Sequence, residues 1–279
     1  MGAGRSGSTV LGIALGNCTG VFYAGELDNW LPRSGVPQVE SPERIRFWEQ
    51  VRGELEDVDG ASDLFGHEAQ RSIERSLSLF RVHMWWARRR LSGRYRAVAG
   101  DLYRAIARVT AATHIADTSH YPLRARELQR VEGIDLYLIF LIRNPQSVVA
   151  SFNRHDVREH TKSTLHTNVY LWLTHLLSLF VFLRHPRRRR LFVRHEDFVA
   201  DPQLVVRQIL DCSRSTASVP DFTQQLTVGV PLQGNRVTRS DTLRLKGGTD
   251  SPPRRSWPTD VLQAPLMAVL SRLRPAARA

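Results

Sequence analysis

A short glycine- and serine-rich stretch at the start of the chain most constrains what it can fold into. Residues 4–9 are followed at once by the apolar run 10–15, which is typical of a loop that opens a helix. Glycine lets the backbone turn so that several N–H groups converge, and the positive end of the helix points to the same place. The sequence therefore predicts an oxyanion site formed by Gly4, Arg5, Ser6, Gly7, Ser8 and Thr9.

The loop lacks the lysine of the ordinary nucleotide-hydrolysing loop. That pattern ends in Gly-Lys followed by Ser or Thr, whereas Gly7 is followed here by Ser8. Arg5 supplies a permanent positive charge instead, with a planar set of N–H donors. An ATP or GTP hydrolase of the ordinary kind is therefore disfavoured.

The charge of the chain also indicates anionic ligands. Its 279 residues carry a formal net charge of +12, an excess that favours nucleotides, acidic glycans, nucleic acids or lipid headgroups. The only lysines are Lys162 and Lys246, so part of this excess reflects a general preference for arginine. The length suits one α/β domain over residues 1–279.

The cysteines and the apolar stretches predict a cytoplasmic protein. Cys18 and Cys212 are far apart and form neither a disulfide framework nor a metal pattern, which favours a reducing compartment. The N-terminus shows no signal-peptide pattern. The apolar stretch 169–183 is interrupted by polar residues and is shorter than the roughly 20 residues of a membrane span. We interpret it as a buried helix and expect no transmembrane segment; the oligomeric state is open.

A carboxylate follows the loop at the distance of one helix and one turn. Glu26 comes shortly after the apolar run 21–23, and a side chain there can return to the mouth of the loop. It could then take a proton from an acceptor hydroxyl. Residues 32–63 are rich in proline, glycine and acidic residues, which predicts a loop with short helices that covers the acceptor site.

Apolar periodicity predicts two helices in the next part of the chain. They cover residues 67–92 and residues 95–111. The first contains Trp85 and Trp86, directly before the basic run 88–90. We interpret this cluster as core aromatic residues beside a solvated basic face, so that a nucleic-acid site is not favoured.

A buried strand followed by a helix predicts an α/β fold with a parallel sheet. Residues 135–142 form a continuous apolar run, which is typical of a strand buried on both faces. Arg143 ends the strand, Pro145 begins the next helix, and that helix carries Ser151. Open α/β sheets bind ligands at the carboxyl ends of their strands, where Arg143 lies.

The remaining pattern continues the alternation of strands and helices. A short strand and a polar turn at 114–121 precede a helix over 122–132, and further elements are predicted for 163–184, 191–193, 201–212 and 259–274. Only Met1-Gly2-Ala3 precede the loop, although a buried strand usually does. The first strand is therefore expected to be shortened or cut off.

Taken in order, these motifs resemble those of sulfotransferases that use 3'-phosphoadenosine-5'-phosphosulfate (PAPS), of the bacterial and carbohydrate type. The resemblance covers most of the chain: the loop at 4–9, Gly-Glu-Leu at 25–27, Asp-Thr-Ser at 117–119, Arg and Ser at 143 and 151, Glu-Asp at 196–197 and Gly-Asn at 234–235. It implies a P-loop-like three-layer α/β/α fold with a central parallel sheet. The sequence departs from the family at His120, Asn144 and His195, where lysine, aspartate and tyrosine are common.

The resemblance also implies roles for individual residues. The loop would hold the 5'-phosphosulfate, and Arg143 and Ser151 would hold the 3'-phosphate. The late segment with Asn235, Arg236 and Arg239 would close over the nucleotide. Glu26 would be the base. Arg5 and His120 would neutralise charge on the leaving group, and the charge of His120 would depend on pH. No metal is required by this scheme.

The predicted function is transfer of a sulfuryl group from PAPS to a hydroxyl of a carbohydrate, a glycolipid or another small molecule. One alternative is a nucleotide kinase or NTPase with a degenerate loop, against which the missing lysine argues. Another is a non-catalytic basic module that binds acidic glycan or nucleic acid, for which charge is the only support.

Overall fold

The chain alternates helices with short strands. The computed structural model describes residues 1–55, 63–153, 163–245 and 256–273. Its helices are α1 Ser8–Gly16, α2 Pro42–Gly53, α3 Asp63–Ala69, α4 Val82–Thr110, α5 Pro122–Leu128, α6 Pro145–Phe152, α7 Thr164–Arg184, α8 His195–Ala200, α9 Pro202–Cys212 and α10 Trp257–Ser271. Its strands are β1 Val21–Gly25, β2 His114–Asp117, β3 Leu138–Ile142, β4 Arg190–Arg194, β5 Gln225–Thr227 and β6 Thr242–Arg244.

Four of the strands form two parallel pairs. β1 pairs with β2, with Val21 opposite His114, and β3 pairs with β4, with Leu138 opposite Arg190. β5 and β6 form a separate antiparallel pair. The predicted α/β class is confirmed. The single central sheet is not formed, because within the described ranges no strand joins the two parallel pairs.

Met1, which precedes the glycine loop, pairs with β3. The Met1 nitrogen donates to the Ile139 carbonyl at 2.7 Å, and the Leu141 N–H donates to the Met1 carbonyl at 3.0 Å. This alternation is that of a parallel ladder, with Met1 opposite Phe140. Gly2 has a φ of 143° and passes so close to β3 that a Cβ would lie 2.2 Å from the Leu141 carbonyl oxygen. The loop therefore starts directly at β3.

Buried apolar side chains cover β1 on both faces. Tyr23 packs into a cluster that holds α1 against β4, α8 and α9 and includes Ile13 and Phe198. The next residue, Ala24, packs into a second cluster that joins α2 to α4 and includes Trp48. Since successive residues of a strand point to opposite faces, helices lie on both sides of β1.

The prediction of one continuous helix over residues 67–92 is wrong. α3 passes into a π-helical turn, Gln70–Glu74, and the backbone becomes extended at Arg75, with ψ 126°. The Arg88 guanidinium donates to the Ser72 carbonyl at 2.9 Å, so a polar group released by the break keeps a partner. α4 then runs unbroken for 29 residues and includes most of the second predicted helix, 95–111.

The interpretation of the tryptophan pair as core residues is also wrong. Trp85 and Trp86 are 57% and 74% exposed. The first buried residue of α4 is Leu91, and the next one is Tyr95. The first turns of α4 therefore extend beyond the core.

Residues 32–63 contain more regular structure than predicted. α2 is a three-turn helix whose N-terminus is capped by the Ser41 side chain, and it buries Trp48 completely. The Trp48 indole N–H donates to the Val230 carbonyl at 3.0 Å. Part of this region is therefore core rather than loop, while residues 56–62 lie outside the described residues.

The apolar helix α7 is buried on one face only. Leu171 and Phe182 lie in the core, whereas Leu176 and Phe180 are 43% and 49% exposed. By length and composition alone α7 could cross a membrane, and 44% of its apolar window is buried within the fold. The predicted buried helix is thus correct for the face that packs on α5, α6 and α10.

Replacing a buried and an exposed tryptophan by alanine, one at a time, tests this description of the core. We expect Trp48→Ala to lower the free energy of unfolding by about 3–5 kcal/mol, because it removes a fully buried ring and leaves a cavity. The matched control Trp86→Ala removes a ring that is 74% exposed and should change stability by about 0.5 kcal/mol or less. Equal losses in chemical denaturation of the two variants would contradict the assignment.

Candidate active site

The loop of residues 4–9 has the backbone of an anion-binding nest. Arg5 and Gly7 both have left-handed backbone angles, with φ 67° and 92°. Left-handed residues between ordinary ones turn successive N–H groups to one side. α1 begins at Ser8, so its first N–H groups and its positive end face the same concavity. The side chains of Ser6 and Thr9 are buried, at 2% exposure.

Three side chains from other elements fix this loop. The Tyr170 hydroxyl accepts from the Gly4 N–H at 2.8 Å, and the Arg143 guanidinium donates to the Arg5 carbonyl at 3.4 Å. The His195 ring packs on Gly7, where a Cβ would lie 2.3 Å from its Nδ1. Gly7 is therefore required both by its φ and by this contact.

The structure brings Glu26 and His120 together beside the loop. Glu26 Oε1 lies 3.2 Å from His120 Nε2, and the two side chains are 15% and 26% exposed. A Cβ on Gly4 would lie 4.0 Å from the His120 ring, which places the pair next to the nest. Burial lowers the pKa of His120, but the hydrogen bond and the charge of Glu26 outweigh burial, and the pKa is raised above its usual value.

The backbone around Glu26 is held from two sides. Its N–H donates to the Gln233 carbonyl at 2.9 Å. The 3-10 helix Leu27–Asn29 that follows is capped from the end of β2. The Leu27 N–H donates to Asp117 at 3.4 Å, and the Asp28 N–H donates to the Ser119 hydroxyl at 3.0 Å. The carboxyl ends of β1 and β2 thus position the pair together.

Asp117 is itself part of a buried ionic network around Arg124. The Arg124 guanidinium lies 3.3 Å from Asp117 and 3.1 Å from Glu74, and it also donates to the hydroxyl oxygens of Tyr95 and Tyr103. Burial would raise the pKa of Asp117, but Arg124 and the hydrogen bonds from Ser119 outweigh it and lower the pKa. Asp117 therefore stays ionised and keeps its hold on the segment after Glu26.

A second carboxyl group, Asp28, is buried close to the pair. It is 6% exposed, and its Oδ1 has no hydrogen-bond partner among the described residues. Burial, followed by the nearby charge of Glu26, raises the pKa of Asp28 from 3.8 to about 6. Asp28 is therefore protonated in the folded state at pH values where an ordinary aspartate is already ionised.

Arg143 lies at the junction of β3 and α6, and Ser151 lies in the last turn of α6. The Asn144 side chain caps α6 by accepting from the Gln146 N–H at 2.8 Å, and the Asn144 N–H donates to Glu196 at 2.7 Å. Ser151 precedes Phe152, whose ring lies 5.8 Å from the Arg5 guanidinium. Both predicted phosphate-binding residues are thus carried by elements that touch the loop.

The late segment reaches the site from another direction. The Asn235 side chain accepts from the Val237 N–H at 2.9 Å and so caps the 3-10 helix Arg236–Arg239. Val237 packs against the cluster that contains Leu11 of α1, so Arg236 and Arg239 are carried beside α1. Their predicted contact with a nucleotide stays a prediction.

Sequence reasoning did not find Tyr170, Asp28 or the Arg124 network. Tyr170 lies on an apolar helix, where it reads as a packing residue, and only the folded chain brings it to Gly4. Asp28 could have been suspected from its place two residues after Glu26, but its burial could not. Among the described residues no group of three His, Cys, Asp or Glu side chains has the geometry to hold a metal ion.

The parallel strand pairs and the glycine loop that opens a helix are those of an α/β protein. The chain belongs to the sulfotransferase family, since the model of that family matches residues 1–214. Among curated proteins, a sequence search finds no match.

Two solved structures share the fold. The sulfotransferase domain from the curacin biosynthetic pathway is 16% identical with a TM-score of 0.55, and the match covers 95% of each chain. The sulfotransferase domain from the Synechococcus PCC 7002 olefin synthase is 19% identical with a TM-score of 0.51, covering 95% of this chain and 92% of the other. At this identity the likeness concerns the fold alone.

The buried Asp28 predicts a stability that depends on pH. Because its pKa is raised in the fold, ionisation costs stability as the pH rises from about 4 through about 6. We expect Asp28→Asn to raise the free energy of unfolding at pH 8 by up to about 3 kcal/mol, and the gain to disappear near pH 4. Urea denaturation at both pH values measures it. Asp211→Asn, on an exposed residue, serves as the control. A gain of the same size at pH 4 would contradict the burial of a protonated Asp28.

Proposed function

We propose that this protein transfers a sulfuryl group from PAPS to an acceptor hydroxyl. The observation that carries the proposal is the placement of the Glu26–His120 pair directly beside the nest of residues 4–9. A base and an anion site in contact are what an attack on a bound phosphosulfate needs. Membership in the sulfotransferase family supports the same reaction class.

The residues at the loop fit a doubly anionic donor. The nest offers the backbone N–H groups of the loop and the partly exposed hydroxyl group of Ser8 to the 5'-phosphosulfate. Arg5 adds a fixed positive charge in place of the lysine that the loop lacks. Arg143, which already touches the loop through the Arg5 carbonyl, and Ser151 would bind the 3'-phosphate.

The chemistry follows from these positions. The acceptor oxygen attacks sulfur in line with the bridging oxygen, the new O–S bond forms, and the old S–O bond breaks with its electron pair leaving on the 5'-phosphate of 3'-phosphoadenosine-5'-phosphate (PAP). Glu26 takes the proton of the acceptor hydroxyl. Such general-base help is worth about 10²–10⁴-fold in rate.

The proposed role of His120 differs from that of an arginine in the loop. Its raised pKa keeps the ring positively charged to a higher pH than an ordinary histidine, and its position beside Gly4 brings that charge to the nest. We propose that it stabilises the negative charge that develops on the departing oxygen, together with Arg5. In contrast to arginine, an imidazolium can also donate its proton.

The acceptor is proposed to be a carbohydrate, a glycolipid or another small molecule, and the scheme needs no metal. The proposed location is the cytoplasm, and the free thiols of Cys18 and Cys212 support it.

Calorimetric titration with PAP tests the donor site. We expect wild type to bind PAP and Arg143→Ala to bind it about 10- to 100-fold more weakly, because a charged hydrogen-bonding group to phosphate is lost. Arg188→Ala removes an exposed arginine and is the matched control.

Binding and turnover of ATP with magnesium in place of PAP would favour the kinase alternative. Salt-dependent binding of nucleic acid or acidic glycan without PAP would favour the basic module.

Replacing the base tests the catalytic assignment. We expect Glu26→Gln to keep its PAP affinity within about twofold and to lose about 10²–10⁴-fold in kcat, since the amide cannot accept the proton. Sulfuryl transfer measured in an acceptor screen with PAPS provides the rate. The exposed Glu49→Gln should behave as wild type. Unchanged kcat in Glu26→Gln would remove Glu26 from the mechanism.

A further inference from the structure

Much of α7 presents polar side chains to the core and apolar side chains to the outside. The polar residues on its core side, each at most 4% exposed, are Thr167, Asn168, Thr174, His175 and Ser178. The apolar residues on its outer side, each at least 43% exposed, are Leu165, Val169, Leu176, Phe180 and Leu183. Their spacing of three, four or seven residues places them in one stripe along the helix. A surface helix normally turns such a stripe to the core.

Buried hydrogen bonds to α10 fix this orientation of α7. The Asn168 amide donates to the Thr259 hydroxyl at 3.1 Å, and the Gln263 amide donates to the Asn168 side-chain oxygen at 2.9 Å. Rotating α7 would break these bonds and leave buried polar groups without partners, which is costly. The fold therefore holds the apolar stripe on the outside.

α10 extends the apolar surface beside α7. The Trp172 indole N–H donates to the Leu262 carbonyl at 2.6 Å, so the exposed sides of the two helices adjoin. Trp257, Val261 and Leu262 are exposed on α10. These three residues, together with the five exposed apolar residues of α7, are called the α7–α10 face below. An exposed apolar surface that extends over two helices is typical of an interaction site, in contrast to single exposed residues.

Basic side chains border the α7–α10 face at the end of α7. The sequence has no charged residue from 164 to 183, and Arg184 then stacks on the Phe180 ring at 3.5 Å. Arg187 and Arg188 follow directly and are exposed. The surface is thus apolar along α7 and positively charged at its border.

The anion loop does not account for these arginines. Arg187 and Arg188 precede β4 and therefore lie at its amino end. β3 and β4 are parallel, so Arg143, which follows β3, lies at the opposite end of this strand pair. The positive charge at the end of α7 is therefore available to another anionic partner.

We propose that the α7–α10 face docks on the surface of a lipid bilayer with anionic headgroups. Its apolar side chains enter the boundary between headgroups and acyl chains, and the bordering arginines meet the lipid phosphates. Trp257 suits this position, because tryptophan favours the interface between membrane and water. α7 lies along the bilayer and does not cross it, since hydrogen bonds join its polar side to α10.

A second copy of the chain fits the α7–α10 face less well. The arginines of one copy would meet a surface on which α7 offers no acidic residue. The one acidic residue of α10 is Asp260, which already accepts a hydrogen bond from the Gln146 amide at 2.9 Å. Electrostatic complementarity therefore favours anionic lipid over a second copy.

Sedimentation with lipid vesicles tests the apolar part of the face. We expect the full chain to bind vesicles that contain about one third phosphatidylserine at least about tenfold more tightly than vesicles of phosphatidylcholine alone. Leu176→Gln combined with Phe180→Gln should weaken binding to the anionic vesicles at least about tenfold, because two apolar side chains no longer enter the bilayer. Leu204→Gln changes an exposed leucine of α9 and is the matched control, with binding within about twofold of wild type.

Removing charge tests the basic border. We expect Arg187→Gln combined with Arg188→Gln to weaken binding to the anionic vesicles at least about tenfold, and to leave binding to phosphatidylcholine within about twofold of wild type. Arg207→Gln combined with Arg244→Gln removes two exposed arginines of α9 and β6 and keeps the same net charge as the first variant. This control should weaken binding by less than about threefold, because its charges lie outside the docking face.

No binding of wild type to either kind of vesicle would overturn the proposal, and so would equal binding by wild type and the variant of Leu176 and Phe180. A dimer in analytical ultracentrifugation that this variant loses, without vesicle binding by wild type, would assign the face to a second copy. Thermal unfolding verifies that each variant is folded. If the first variant does not fold, Leu165→Gln combined with Val169→Gln tests the same stripe. These measurements require neither PAP nor sulfuryl transfer, so their outcome is independent of the proposed function.

Discussion

The buried Arg124 guanidinium is the interaction on which most of the site depends. It ties together α4 through Tyr95 and Tyr103, the π-helical turn through Glu74 and the end of β2 through Asp117. Removing one partner from such a network leaves a buried charge uncompensated, which typically costs about 3–5 kcal/mol. Asp117 links this network to the candidate site. Its carboxylate accepts the N–H groups of Leu27 and Ser119, and these contacts hold the Glu26 segment in place. The position of the Glu26 segment and the stability of the fold therefore depend on one set of contacts.

The site itself is assembled from chain segments that are distant in sequence. The loop contributes backbone N–H groups, β1 ends in Glu26, β2 leads to His120, and β3 ends in Arg143. The carboxyl ends of parallel strands are where ligands bind in α/β proteins. Direct contacts then join these residues: Glu26 pairs with His120, and Arg143 donates to the carbonyl of Arg5 in the loop. Tyr170 of α7 and His195 of α8 then close around the loop from outside.

Sequence reasoning predicted the elements best where one local signal dominates. The apolar run of β3 and the proline at the start of α6 gave an element boundary close to the observed one. It failed where tertiary contacts override periodicity: Arg88 stabilises a break that splits a predicted helix, and Trp85 and Trp86 lie on helix turns beyond the core. It also predicted one central sheet, because strand patterns do not indicate which strands become neighbours in a sheet.

The sequence by itself determined the chemistry that this protein has available: a glycine loop without a lysine, a carboxylate one helix later, and an arginine after a buried strand. Each of these follows from residue type and local spacing. Only the tertiary structure decided that Glu26 meets His120 and that Asp28 is buried next to them. The physical reason is that pKa shifts and ion pairs depend on distances and burial between segments far apart in the chain, which no local pattern encodes.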